Sequence, residues 1–279
     1  MTRRATLAYA HARLRACKSR LLTRSDAAPL WSATDPTTMH PVVEALGMSD
    51  PWHRLLRVYA VAMRAGHDSL FAALLRLHEI ENVKLLWRVA IMHRQRSVVP
   101  RLWIDLGAFA SFPSLDGATP LELSTQLAAT PYADVASTVA RAHGNDLVAA
   151  ELAFDRWATQ CLLAEARKLP RREVMARRLV ELVVREREAQ LELRGAKWYG
   201  LESITPSGNI NVVAIRKERL RLCRRAFIGS PFRLAPAIAV VLLAEEELRA
   251  VRALIERQGD ERLDTAFMRV AAASQIGVA

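Results

Sequence analysis

Seven histidines and three cysteines are the side chains of this 279-residue chain best suited to metal ligation or nucleophilic chemistry. A zinc-hydrolase helix needs two His one turn apart with a Glu between them, so that both imidazoles reach one ion from one face. The segment LHEIEN sets His78 beside Glu79, but Asn82 stands where the second His would be. His11, His40, His53, His67, His93 and His143 are equally isolated, and packing or surface exposure is expected of each. Cys17, Cys161 and Cys223 are odd in number, far apart and in no CxxC spacing, which argues for reduced thiols rather than a disulfide framework. Cys161, between Gln160 and Leu162 in an apolar helical setting, reads as a small core residue rather than a nucleophile. No GxSxG elbow occurs and no GxxxxGK[ST] phosphate loop, since GAKWYG at 195–200 lacks both the spacing and the hydroxyl. The expectation is a chain with no active site of its own, no cofactor, no metal and no small-molecule substrate.

Binding chemistry is better represented. The net charge is +11, the usual footprint of acidic partners. Its concentration is RKERLRLCRR, residues 216–225, with six basic residues against Glu218 alone. Leu220, Cys223 and Phe227 supply an apolar stripe beneath it, so the segment reads as an amphipathic helix with a basic outer face. Arg216, Lys217, Arg219 and Arg221 are the candidate partner-binding residues. A basic helical adaptor that binds nucleic acid, or another acidic partner, through this segment is one reading. Between Ala164 and Glu188 eight basic residues are mixed with five Glu, the pattern of a solvated helix face with local pairing.

The elements that must carry these residues are helical. Half of the chain is hydrophobic and a quarter charged, while Gly, Pro and aromatics are sparse, which predicts an all-α protein. Asp50 before Pro51 reads as an N-cap, opening a helix that buries Leu55, Tyr59 and Met63. Thr119, Pro120 and Glu122 form a capping box, and Thr130 with Pro131 repeats the device. FASFPSLDGATP at 109–120 and ESITPSGN at 202–209 read as breaks. The longest apolar run, LAPAIAVVLLA from Leu234 to Ala244, is too short to span a bilayer, which needs about 20 residues. It runs into Glu245, Glu246 and Glu247, and reads as a buried core helix. No secretory signal is expected from the N-terminus, although seven basic residues precede the first acid, Asp26, as an organellar transit peptide would also have it.

One helix recurs. In ENVKLLWR, 81–88, Val83, Leu86, Trp87 and Ala90 form a buried stripe and Asn82 lies inside the helix rather than at its cap. REAQLELR at 187–194 repeats the charged or polar opening, aliphatic core and terminal Arg, and EELRAVR at 246–252 is a looser echo. The first runs on through IMHRQRSVVPRLWIDLG to Gly107 and the second through GAKWYGLESITPSG to Gly208. Duplicated helical modules would produce this.

Taken in order, these segments resemble the C subunit of V-type and A-type rotary ATPases, called the d subunit in the eukaryotic enzyme. YAHARLRACKSRLL, from Tyr9 to Leu22, is similar to that family's first helix. ENVKLLWR and REAQLELRGAKWYGLESITPSG resemble its repeated helix-and-turn units, with Pro206 and Gly208 in the second turn, although Glu188 stands where that unit usually has Asn. Residues 224–259 are similar to the C-terminal unit. The resemblance implies an all-α funnel of three related helical lobes: 1–45 with 209–279, 46–118, and 119–208. It implies a noncatalytic central-stalk connector that couples the rotor shaft to the membrane proteolipid ring. It also implies a cytoplasmic location, peripheral to the membrane through those partners, and a structural role for Asn82, whose amide would cap or bridge backbone groups.

Overall fold

The computed structural model describes residues 3–21, 51–92, 118–198, 211–228 and 233–257. Over these residues the chain is all-α: nine α-helices, one short 3-10 turn and no strand. The helices are α1 (Arg3–Ser19), α2 (Pro51–Met63), α3 (Asp68–Met92), α4 (Pro120–Gln126), α5 (Ala133–His143), α6 (Leu147–Arg167), α7 (Val174–Trp198), α8 (Val212–Arg225) and α9 (Ala235–Arg257). The chain divides into two compact units: residues 1–71, 169–189 and 209–279 form the first, and 72–168 and 190–208 the second. Most of α3 belongs to the second unit and most of α7 to the first.

In the first unit α9 packs against α1, α2 and α8. Its opening from Leu234 to Val241 is buried on every side, as a helix apolar all round must be. Leu14 of α1, with Leu55, Tyr59 and Ala62 of α2, completes this core. Met63, expected in the buried stripe, is only half-buried. Val58, Val61 and Ala62 are buried instead, because α2 ends at Met63 and the chain turns away through Gly66 and His67. Both of those residues have positive φ, 96° and 65°, which suits Gly66 but is uncommon for His67.

In the second unit α3 buries Val83, Leu86, Trp87 and Ala90, the expected stripe, and Asn82 is only 1 % exposed. Trp87 meets Phe154 of α6 edge to face, with ring centroids 5.0 Å apart. The start of α4 follows the sequence: the Thr119 hydroxyl accepts from the Glu122 amide at 3.3 Å, and the Glu122 carboxylate accepts from the Thr119 amide at 2.8 Å. The Thr119 amide, and then the Thr119 hydroxyl at 3.0 Å, donate to the Glu122 carboxylate and hold it below its usual range.

Thr130 and Pro131 do not start a helix as expected. The Thr130 hydroxyl accepts from the Tyr132 amide at 3.2 Å, and α5 begins at Ala133, with Tyr132 in the cap position and no side-chain cap bond. Burial of the Tyr132 ring in the core decides this boundary. Asp50, residues 109–117 and the connectors at 93–107 and 199–208 lie outside the described residues. No helix among the described residues is long and apolar enough to cross a membrane.

Candidate partner-binding surface

Helix α8 is opened by Asn211, whose side-chain oxygen accepts from the Ala214 amide at 3.0 Å. This replaces one of the N–H partners that a helix start lacks. Leu220 and Cys223 are buried and Phe227 is half-buried, so the expected apolar stripe sets the orientation of the helix. Burial pushes the Cys223 thiol up to about 12, against the pull of Arg219, which removes it as a nucleophile at neutral pH.

The four candidate residues separate into two pairs. Lys217 and Arg221 are exposed, whereas Arg219 is 1 % exposed and Arg216 is largely covered. Arg219 Nε donates to Glu186 Oε2 of α7 at 2.8 Å, and its Nη2 donates to Glu246 Oε1 of α9. Arg216 Nε donates to Glu246 Oε2 at 2.7 Å. Arg249 Nη1 closes the cluster, 3.1 Å from Glu186 and 3.0 Å from Glu246. Burial alone would raise the Glu246 carboxyl, but Arg249, Arg219 and Arg216 outweigh it and hold the group at about 2. Arg219 and Arg216 therefore join α8 to α7 and α9, and cannot meet a partner while those bonds stand.

Arg224 and Arg225 are also exposed. Helical spacing carries the signal for this division, since Arg219 lies one turn before Cys223 and shares its buried side. The stretch 164–188 also departs from its expected solvated character. Lys168–Glu165 and Arg178–Glu181 are exposed local pairs, but Glu173 and Glu186 are buried. Glu173 accepts from the Leu234 amide at 3.1 Å and so anchors the start of α9.

Buried polar pairs recur in both units. In the first, the Tyr59 hydroxyl donates to Glu245 Oε1 at 2.6 Å, and Arg54 pairs with Glu247 at 3.2 Å. In the second, the Tyr132 hydroxyl donates to Glu79 Oε2 at 2.6 Å. Burial first, and then the facing carboxylate, drives both phenols well above their ordinary value. Lys84 Nζ lies 3.0 Å from both Asp155 oxygens and 2.8 Å from Glu81, and Arg88 makes a bidentate pair with Glu151. Lys84 meets Asp155 and Arg88 meets Glu151, so α3 and α6 run antiparallel. Nothing in the local sequence marks these carboxylates as structural.

Hydrogen bonds to charged acceptors contribute about 1.5–3 kcal/mol each. Tyr59→Phe and Tyr132→Phe are therefore each expected to lower stability by about 2 kcal/mol, measured by urea unfolding. A loss under about 0.5 kcal/mol, the range of a neutral surface change, would show that water or another donor replaces the phenol.

Among the described residues no group of three or more His, Cys, Asp and Glu side chains is placed to hold a metal ion. Cys161 is half-buried, and burial raises its thiol in spite of the neighbouring Arg76. A shallow cavity of about 240 Å³ lies between α5 and α6, with Asp134, His143, Arg156 and Gln160 at its wall. No protein-family model matches the chain. No curated protein matches it significantly.

Proposed function

We propose that this chain is a noncatalytic central-stalk connector of a V-type or A-type rotary ATPase, similar to the C subunit of those enzymes and its eukaryotic counterpart. In this reading it is a funnel of three related helical lobes that seats the rotor shaft on the membrane proteolipid ring. One observation carries the proposal. Each of the three echoing segments is preceded, one or two residues upstream, by a buried glutamate: Glu79 before ENVKLLWR, Glu186 before REAQLELR and Glu245 before EELRAVR. Each is held by a residue distant in sequence, respectively Tyr132 at the cap of α5, Arg219 of α8 and Tyr59 of α2. A buried carboxylate is costly unless its partner is supplied, so a buried, paired glutamate just upstream of each of the three echoes fits descent from one duplicated module.

A connector of this kind transmits torque and performs no chemistry, and helices cross-linked by buried ion pairs suit that task. Asn82 belongs to the first echo and would serve there as a structural amide. Affinity purification of the tagged chain from its native membrane tests the proposal. The expected result is co-purification of rotor-shaft and proteolipid subunits in stoichiometric amounts. Recovery of the chain without either would overturn it.

A further inference from the structure

We propose that the outward face of α8 docks directly on an anionic lipid surface. Lys217, Arg221, Arg224 and Arg225 recur at helical spacing and are all exposed, so they form one stripe. None of the four has a carboxylate partner among the described residues. Glu218, the only acid on the helix, is turned aside to Arg178 at 2.8 Å. A fifth cation comes from α1: Lys18 Nζ lies 4.2 Å from the centre of the Phe227 ring, beside the end of α8. Two aliphatic side chains flank the stripe, Val213 at its start and Ile228 just past its end, the latter 85 % exposed.

A helix surface of this kind is convex, whereas small anions and peptides are gripped in concave sites. Uniform positive charge suits a planar sheet of phosphate headgroups, and the flanking Val213 and Ile228 would enter the acyl boundary beneath them. Duplex nucleic acid offers the same row of phosphates but no apolar layer beneath them, so it would leave the exposed Val213 and Ile228 side chains unburied. The inference stands independently of the rotary-ATPase reading, since it needs only this face and a bilayer.

Flotation of the full chain with vesicles tests it, using phosphatidylcholine alone and phosphatidylcholine mixed with phosphatidylglycerol. The chain is expected to float with the anionic vesicles only, and to be released by salt. Each basic residue near such a surface is worth about fivefold in affinity. The triple variant Lys217→Gln, Arg221→Gln, Arg224→Gln is then expected to bind about a hundredfold more weakly, with its melting temperature unchanged because all three side chains are exposed. Ile228→Ser is expected to weaken binding about tenfold, the value of burying one aliphatic side chain. No flotation of the wild-type chain would overturn the proposal, as would equal binding by the triple variant. Displacement of the chain from the vesicles by an equal charge of duplex DNA would replace it with the nucleic-acid reading. The vesicles hold no proteolipid ring, so failure here leaves co-purification with the ring as a separate result.

Discussion

Arg219→Met is expected to cost about 3–5 kcal/mol of stability, because breaking a buried ion pair leaves its partners' charges uncompensated. The arginine touches Glu186 and Glu246 at once, and Arg216 and Arg249 remain to offset only part of the loss. Acid titration gives the same change a second signature. Glu246 is held at about 2 against an ordinary 4.5. A folded value below the unfolded one adds stability that is fully present above about pH 4.5 and is lost as pH falls through about 2. At neutral pH that contribution is about 3 kcal/mol, from about 1.4 kcal/mol per unit. In the variant the Glu246 carboxyl should move upward, so the acid limb of the stability curve should begin at higher pH. Urea unfolding at neutral pH and at a series of lower values reads both effects. Lys217→Met, two residues away and exposed, should stay within about 0.5 kcal/mol. Equal behaviour of the two variants would mean that the cluster contributes nothing net.

Lys84→Met and Asp155→Leu are each expected to cost about 3–5 kcal/mol, for the same reason in the second unit. Lys84 is completely buried and Asp155 nearly so. Their double variant should recover most of the loss, since two apolar groups of similar volume need no partner and buried pairs are often replaceable in this way. Glu81, which also reaches Lys84, is more than one-third exposed and can turn to solvent. The double-mutant cycle is expected to give a coupling of several kcal/mol, well above the roughly 0.3–0.5 kcal/mol scatter of independent sites. Additive losses would show that packing of the lysine stem, and not the charge pair, sets the cost.

What was legible in the sequence was local. The α3 stripe, the Thr119 capping box and the buried opening of α9 each depend on residues within a turn or two of one another, so periodicity and cap chemistry suffice to place them. The ion clusters do not have that property. Arg219 finds Glu186 33 residues away and Glu246 27 away, and Lys84 finds Asp155 71 residues away. No local rule joins such partners, and the charges in 164–188 and 216–225 therefore read as solvated or partner-binding until the helices are assembled. Arg219 carries one local sign, its place on the Cys223 side of α8. The start of α5 departs from its local sequence for a related reason: Thr130 and Pro131 are good cap residues, but the Tyr132 ring is buried in the core, with its hydroxyl on Glu79.

The division of the chain into units also has a temporal side. The second unit draws most of its residues from one continuous stretch, 72–168, and its Tyr132–Glu79 pair spans 53 residues. The first unit is gathered from three stretches, and its Tyr59–Glu245 pair spans 186 residues. At ribosomal speeds of about 5–20 residues per second, α2 waits roughly 10–40 s for α9 to emerge. Throughout that interval α1 and α2 have each other but not the helix that covers Leu14, Leu55 and Tyr59. The second unit can therefore complete most of its pairing before α9 has emerged, and the first must wait for that helix. A newly made chain passes through a stage in which its amino-terminal helices are open to chaperones and to misassociation with their neighbours.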